Sequence, residues 1–151
     1  MNDAVDRQAL TLQELTTPED LHSAFNVMKQ LRPALSSAAG FVEQITRQHH
    51  DGYRLFGAVQ GGRVLGLIGF RPLENLLYGR FIYVDDLVVD ESARHLGLGA
   101  QLLDSVRSQA TEAGCAHLVL DTGLHMPLAQ RFYFREGLLA KGMHFVQPLS
   151  V

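Results

Sequence analysis

A chain of 151 residues, 46% hydrophobic and 19% charged, has the size and composition of one globular domain, far from the disordered range and able to bury about 68 to 70% of its unfolded surface in a single core. Its formal net charge of −3 gives no electrostatic reason to expect nucleic acid or an anionic membrane as partner, and a small or cationic substrate is the easier fit. The single Cys115 excludes an internal disulfide and a cysteine-based zinc site, no apolar run is long enough to cross a bilayer, and the opening MNDAVDRQAL lacks the apolar segment of a secretion signal, so a reduced, cytoplasmic setting is expected.

Residues 1–7 read as a mobile tail, and residues 8–15 (QALTLQEL) alternate well enough for a first strand. Thr17, Pro18 and Asp20 form a helix start, with Thr as cap, Pro in the first turn and an acid at the third position. Leu21, Ala24, Phe25, Met28 and Leu31 follow at helical spacing until Pro33 stops the run. A second helix starts near Ser36 or Ser37 and carries Phe41, Val42 and Ile45 on one face. Tyr53 to Val59 and Val64 to Arg71 are apolar strands joined by the hairpin turn Gln60, Gly61, Gly62, Arg63. Another turn around Pro72 to Asn75 is expected to lead into a long strand from about Gly79 to Val89.

Beyond a glycine-containing loop, Leu98, Leu102, Leu103, Val106 and Ala110 form one helical stripe that closes at Gly114. His117 to Asp121 (HLVLD) is a short buried strand, and the strand, helix, strand order makes it a parallel neighbour of the long one. A last helix begins near Pro127, contains Leu128, Ala129, Phe132 and Tyr133, and ends at Gly137. Met143 to Leu149 (MHFVQPL) reads as a closing strand, with a weaker one around Leu138 to Ala140. No repeat or linker interrupts the chain, so one domain over residues 1–151 is expected.

The stretch YVDDLVVDESARHLGLGAQLL, Tyr83 to Leu103, holds the chemistry. A strand ends at Val89, and Gly97 and Gly99 then let a bulky anion approach the main chain. The helix that follows points unpaired N–H groups and its positive dipole end at the same place. A Walker-type loop is absent, and a dinucleotide fingerprint would need a small residue where Leu102 stands. Arg94, Gly97 and Gly99 match [QR]-x-x-G-x-[GA] after a hydrophobic strand. An ordinary strand-to-helix turn, with glycines for packing, fits the loop alone equally well.

That loop, together with AQRFYFREGL over Ala129 to Leu138 and the order of the elements, resembles the GNAT family of N-acetyltransferases. The closing RFYFREG looks most like the aminoalkylphosphonate acetyltransferase branch. The resemblance implies an α/β (α+β) fold: a mixed, mostly antiparallel sheet of six to seven strands, flanked by about four helices and splayed to form an acyl-CoA cleft. It implies acetyl-CoA as co-substrate, no metal, and a primary amine of a small molecule as acceptor, attacked directly in a ternary complex. Neither nucleic acid nor membrane is expected as a partner, and the family's habit makes a homodimer the expected oligomer.

By the same resemblance, Leu87, Val88 and Val89 lie along the pantetheine arm, and the N–H of Val88 or its neighbour polarises the thioester carbonyl. His95, Leu96, Gly97, Leu98, Gly99 and Ala100 meet the pyrophosphate, with Arg94 adding charge. Asp85 matches the acid often assigned as base, Asp86 stands beside it, and Tyr133 matches the tyrosine that protonates the departing thiolate. Strand alternation predicts that only one of the two aspartates faces the site, the other capping a loop or pairing with Arg80 or Arg71. His95 and Leu96 depart from the usual glycine and basic residue, and His125 to Leu128 depart from the branch's charged run. A non-catalytic acyl-CoA-binding domain and a protein or peptide N-acetyltransferase are the alternatives. The seven histidines, His49 and His50 included, show no metal-ligand spacing.

Overall fold

The computed structural model describes residues 8–150, so the tail expected over residues 1–7 lies outside the described residues. The chain divides into two compact units, Met1–Val119 and Leu120–Val151. The first contains β1 (Thr11–Glu14), α1 (Pro18–Leu31), α2 (Ala38–His50), β2 (Arg54–Gln60), β3 (Arg63–Asn75), β4 (Gly79–Val89), a 3-10 turn (Glu91–Ala93) and α3 (Leu98–Glu112). β5 (His117–Leu120) runs across the boundary after Val119, and α4 (Pro127–Arg135) belongs to the second. No helix among the described residues is long and apolar enough to cross a membrane.

Local chemistry sets the helix ends where the sequence put them. The Thr17 hydroxyl accepts from the Asp20 N–H at 3.1 Å, and the Asp20 carboxylate accepts from the Thr17 N–H at 3.3 Å. This reciprocal cap, with Pro18 at the first helical position, is worth about 1 kcal/mol. Ser37 caps α2 through the Gly40 N–H at 3.1 Å. α3 ends where Gly114 takes a φ of 73° and the Cys115 N–H reaches back to the Ala110 carbonyl at 2.9 Å.

The sheet runs in the order β1-β2-β3-β4-β5, with the first four strands antiparallel. The helical crossover from β4 through α3 to the adjacent β5 is the connection that parallel neighbours require. Leu21, Met28, Phe41 and Ile45 of α1 and α2 pack with Leu55, Leu67 and Val88 on one face. Gly66, next to Leu67, faces Leu102 of α3 on the other. All five residues of the expected α3 stripe are buried, with Leu102, Leu103 and Val106 at 0% exposure. Leu102, Leu103 and Val106 each contribute about 1.5 to 3 kcal/mol of apolar burial.

β3 does not turn at Pro72. It continues to Asn75, pairing with β4 as far as Asn75↔Gly79. β2 begins at Arg54, opposite Phe70, so from Arg71 onward β3 has no partner on that side. A residue without an N–H is tolerated on such an edge. The turn follows at residues 76–78, where the Asn75 side-chain oxygen accepts from the Leu77 and Tyr78 N–H groups at 3.0 and 2.7 Å.

In the second unit α4 stops at Arg135, followed by Gly137 at a φ of 88° and the Leu138 N–H bonded to the Tyr133 carbonyl at 3.0 Å. The four α-helices are those expected. The sheet, however, has five strands among the described residues and not six to seven. The segments expected as strands, Leu138 to Ala140 and Met143 to Leu149, join no ladder. Phe145 and Leu149 are exposed, and Pro148 has no N–H to give. Alternation supplies only the side-chain half of a strand; the other half is a hydrogen-bonding neighbour.

Candidate active site

The site grows out of a bulge in β4. Gly69 pairs with Asp86 but Phe70 pairs with Val84, so Asp85 is an extra residue on the β4 side. A bulge breaks the alternation of side chains. The expectation that only one aspartate could face the site is therefore corrected: Asp85 and Asp86 line the same cavity. It measures about 550 Å³ and is walled also by Arg32, Gln44, Gln48 and Tyr83.

Each carboxylate has its own partners. Arg71 holds Asp85 through two nitrogens, Nη2 to Oδ1 at 2.8 Å and Nε to Oδ2 at 2.9 Å, and stacks over the Tyr83 ring at 5.5 Å. The pairing foreseen for one aspartate with Arg71 thus falls on Asp85. The hydrogen bond with Asp85 raises Arg71 above the ordinary guanidinium value. Arg32 donates from Nε to Asp86 Oδ1 at 3.0 Å and from Nη2 to the Asp85 carbonyl at 2.9 Å.

The other oxygen of Asp86 accepts from the Tyr53 hydroxyl at 2.8 Å. Tyr53 is buried, and that burial, then the Asp86 charge, pushes its phenol well above the ordinary value. The ring fits because Gly69 has no side chain: a Cβ there would stand 1.8 Å from the Tyr53 oxygen. On its outer face Tyr53 stacks with His49 at 6.3 Å. Neither Tyr53 nor Arg32 stands out as a site residue in the sequence. The signal for Tyr53 is Gly69, the second glycine in LGLIGF, since a strand-interior glycine marks close approach by another group.

Farther along β4 the main chain changes direction with each residue. The Asp90 N–H bonds to the Leu65 carbonyl of β3 at 2.8 Å. In an antiparallel ladder that direction recurs every second residue, so Val88 also faces β3, while Leu87 and Val89 turn their N–H and C=O groups to the opposite flank. β5 has four residues against eleven in β4, so it cannot take up that flank along its whole length. Of the donors left open by the sequence, the neighbours of Val88 are the ones directed outward.

At the end of β4, Asp90 is held from three sides. Gln30 Nε2 of α1 donates at 2.6 Å and Arg63 Nη2 at 3.1 Å, and the Ser92 hydroxyl donates as well. The Gln30 oxygen accepts the Glu91 N–H at 3.1 Å. The Ser92 and Gln30 hydrogen bonds hold the Asp90 carboxyl below the ordinary carboxylate value. Beyond this brace His95 and Gly97 both take positive φ, 66° and 78°, and Gly97 caps α3 with no side-chain hydrogen bond. Among the described residues the first N–H groups of α3 thus meet no side-chain acceptor, the geometry of an anion site. Leu98 is buried and anchors the helix start, while Arg94, His95 and Leu96 are exposed, Gly99 and Ala100 half-buried.

The first unit therefore brings together Asp85, Asp86, Leu87, Val88, Val89 and the loop from Arg94 to Ala100. Tyr133 stands in the second unit, half-buried on α4 with its ring 5.3 Å from that of Phe132. Among the described residues no group of three His, Cys, Asp or Glu side chains is placed to hold a metal ion.

Residues 19–137 match the model of the acetyltransferase (GNAT) family. A protein of Oryza sativa subsp. japonica described as probable glucosamine 6-phosphate N-acetyltransferase 2 is 35% identical over 65 residues. The match covers 43% of this chain and 37% of that protein, so the chain spans little more than a third of the length of the curated relative it matches. An aminoglycoside N-acetyltransferase solved in complex with CoA superposes with a TM-score of 0.81 at 17% identity, over 95% of this chain and 97% of that one. Ribosomal-protein-alanine N-acetyltransferase from Brucella melitensis biovar Abortus 2308 gives 0.80 at 20% identity, over 94% and 100%. At these identities the structures establish the fold alone. With the family model spanning most of the sequence, the chain belongs to the acetyltransferase (GNAT) family.

Proposed function

We propose that this protein transfers an acetyl group from acetyl-CoA to a primary amine of a small molecule by direct attack in a ternary complex. The observation that carries the proposal is the continuity of two sites on one strand. The two carboxylates of the cavity lie on β4 immediately before Leu87, Val88 and Val89, and the uncapped start of α3 follows that strand. The outward main-chain groups of Leu87 and Val89 suit an extended, amide-bearing arm, and the N–H groups at residues 97–100 suit a pyrophosphate.

In this reading the amine nitrogen bonds to the thioester carbonyl carbon as the carbon–sulfur bond breaks. An outward N–H of β4 polarises the carbonyl oxygen. The amine's proton passes to a carboxylate, directly or through water. Both oxygens of Asp85 meet the Arg71 guanidinium, whereas Oδ2 of Asp86 meets the neutral Tyr53 hydroxyl, so Asp86 is assigned that part and Asp85 the placing of Arg71. Tyr133 gives its phenolic proton to the departing thiolate, a role carried over from the family motif. The likeness of RFYFREG to the aminoalkylphosphonate branch extends to that segment only, and no phosphonate recognition is inferred from it.

The test is release of CoA thiol from acetyl-CoA across a panel of small amines, with the acetylated product identified by mass. Amine-dependent release supports the proposal. Release that no amine accelerates would leave only hydrolysis and defeat it.

A further inference from the structure

The charges around the cavity balance. Each carboxylate of the walls is paired with a guanidinium, Asp86 with Arg32 of the wall itself and Asp85 with Arg71, which does not line the cavity, so neither stands as an uncompensated charge to draw in a polycation. Arg32 is the uneven member. Its Nε and Nη2 are fixed on Asp86 and on the Asp85 carbonyl, while none of the described residues takes up Nη1, and half of the side chain is exposed (51%). A guanidinium held by one edge presents its other edge in a set orientation, which suits the planar, two-oxygen geometry of a carboxylate or phosphate. Gln44 and Gln48 complete this wall with neutral amides.

Resting on the acetyltransferase reading above, we infer that the acceptor is a small zwitterion: its amine meets Asp86, and an anionic group on the same molecule meets the free edge of Arg32. A molecule that carries both charges matches a wall whose carboxylates are already paired and whose Arg32 keeps a free edge. The anionic group shares one chemistry between two sources, the carboxylate of an amino acid and the phosphate of an amino sugar phosphate. A volume of about 550 Å³ holds either.

Matched acceptors test this. Alanine against alaninamide, and glucosamine 6-phosphate against glucosamine, differ by the anionic group, and spermidine serves as the polycation. The expected result is a kcat/KM at least about tenfold higher for the anionic member of one pair, the scale of a charge-assisted hydrogen bond. The preferred pair identifies carboxylate or phosphate. Arg32→Gln should erase the preference and Arg32→Lys should retain part of it. Both should keep the rise in melting temperature with acetyl-CoA, which shows that each variant is folded and binds the donor. Preference for the uncharged members or for spermidine, or an Arg32→Gln variant that keeps the wild-type preference, overturns the inference and leaves the acetyltransferase reading standing. Failure of all five amines, with donor binding intact, overturns it too, whereas loss of donor binding in the wild type defeats the earlier reading.

Discussion

The Tyr53 hydroxyl donates to Asp86 Oδ2 at 2.8 Å, crossing the space that Gly69 leaves by having no side chain. Removing the hydroxyl leaves one oxygen of a largely buried carboxylate without its donor, at a cost of about 1 to 3 kcal/mol. Tyr53→Phe should therefore melt several degrees lower and turn over more slowly, with KM for acetyl-CoA unchanged. Gly69→Ala drives a Cβ into the phenol and should cost about 1 to 3 kcal/mol by overpacking. Urea unfolding of the two variants checks both values.

The same contact sets an alkaline limit. Burial, with Asp86 adding to it, holds the Tyr53 phenol well above its ordinary value, so the folded protein keeps a proton that the unfolded chain releases at about pH 10. This contribution is whole below that pH and is lost as the pH rises beyond it. Wild type should lose stability more steeply than Tyr53→Phe above about pH 10, measured by denaturant midpoints. Parallel curves would mean that Tyr53 ionises in the folded state.

The two aspartates should separate in a kinetic comparison. Asp86→Asn is expected to lower kcat by about 10² to 10⁴ with little change in KM for acetyl-CoA. Asp85→Asn removes the charge that Arg71 grips and should lower the melting midpoint while sparing more of kcat. The reverse order of kcat losses would return the role of base to Asp85.

Asp90 ties α1 and the β2–β3 hairpin to the start of the anion loop. Its carboxyl is held low by hydrogen bonds from Ser92 and Gln30, so its stabilising share is present above the unfolded carboxylate value and disappears as the pH falls below about 4. Asp90→Asn should flatten the acid end of the stability curve. Gln30→Ala should weaken acetyl-CoA several-fold in a binding titration by loosening the loop.

Gly97 holds a φ of 78° with nothing within 4 Å of a would-be Cβ. Gly97→Ala meets only backbone strain, about 1 to 2 kcal/mol. A lower melting midpoint and a raised Kd for acetyl-CoA are the expected outcome, by calorimetry.

Much of this was legible because it rests on local chemistry. Thr17, Pro18 and Asp20 announce α1, the leucines from Leu98 to Leu103 announce the α3 stripe, and Gly97 with its neighbours marks the loop. What escaped depends on pairing between distant residues. The bulge at Asp85 exists only in the register of β4 against β3, and without it the two aspartates would face opposite sides. The run of β3 through Pro72 depends on where β2 starts. The extra strands expected after β5 failed for the same reason: residues 143–149 alternate, but no ladder takes them up. Tyr53 was hidden because its meaning lies in Gly69, sixteen residues on.

The most direct measurement is a thermal melt with and without acetyl-CoA. At about 100 times the dissociation constant, binding to the native state contributes roughly 2.7 kcal/mol, which should raise the midpoint of a chain this long by about 5 to 11 °C. A rise of that size, reduced in Gly97→Ala, is the expected result. An unchanged midpoint at millimolar acetyl-CoA would contradict donor binding at the junction of β4 and α3, and with it the proposed acetyl transfer.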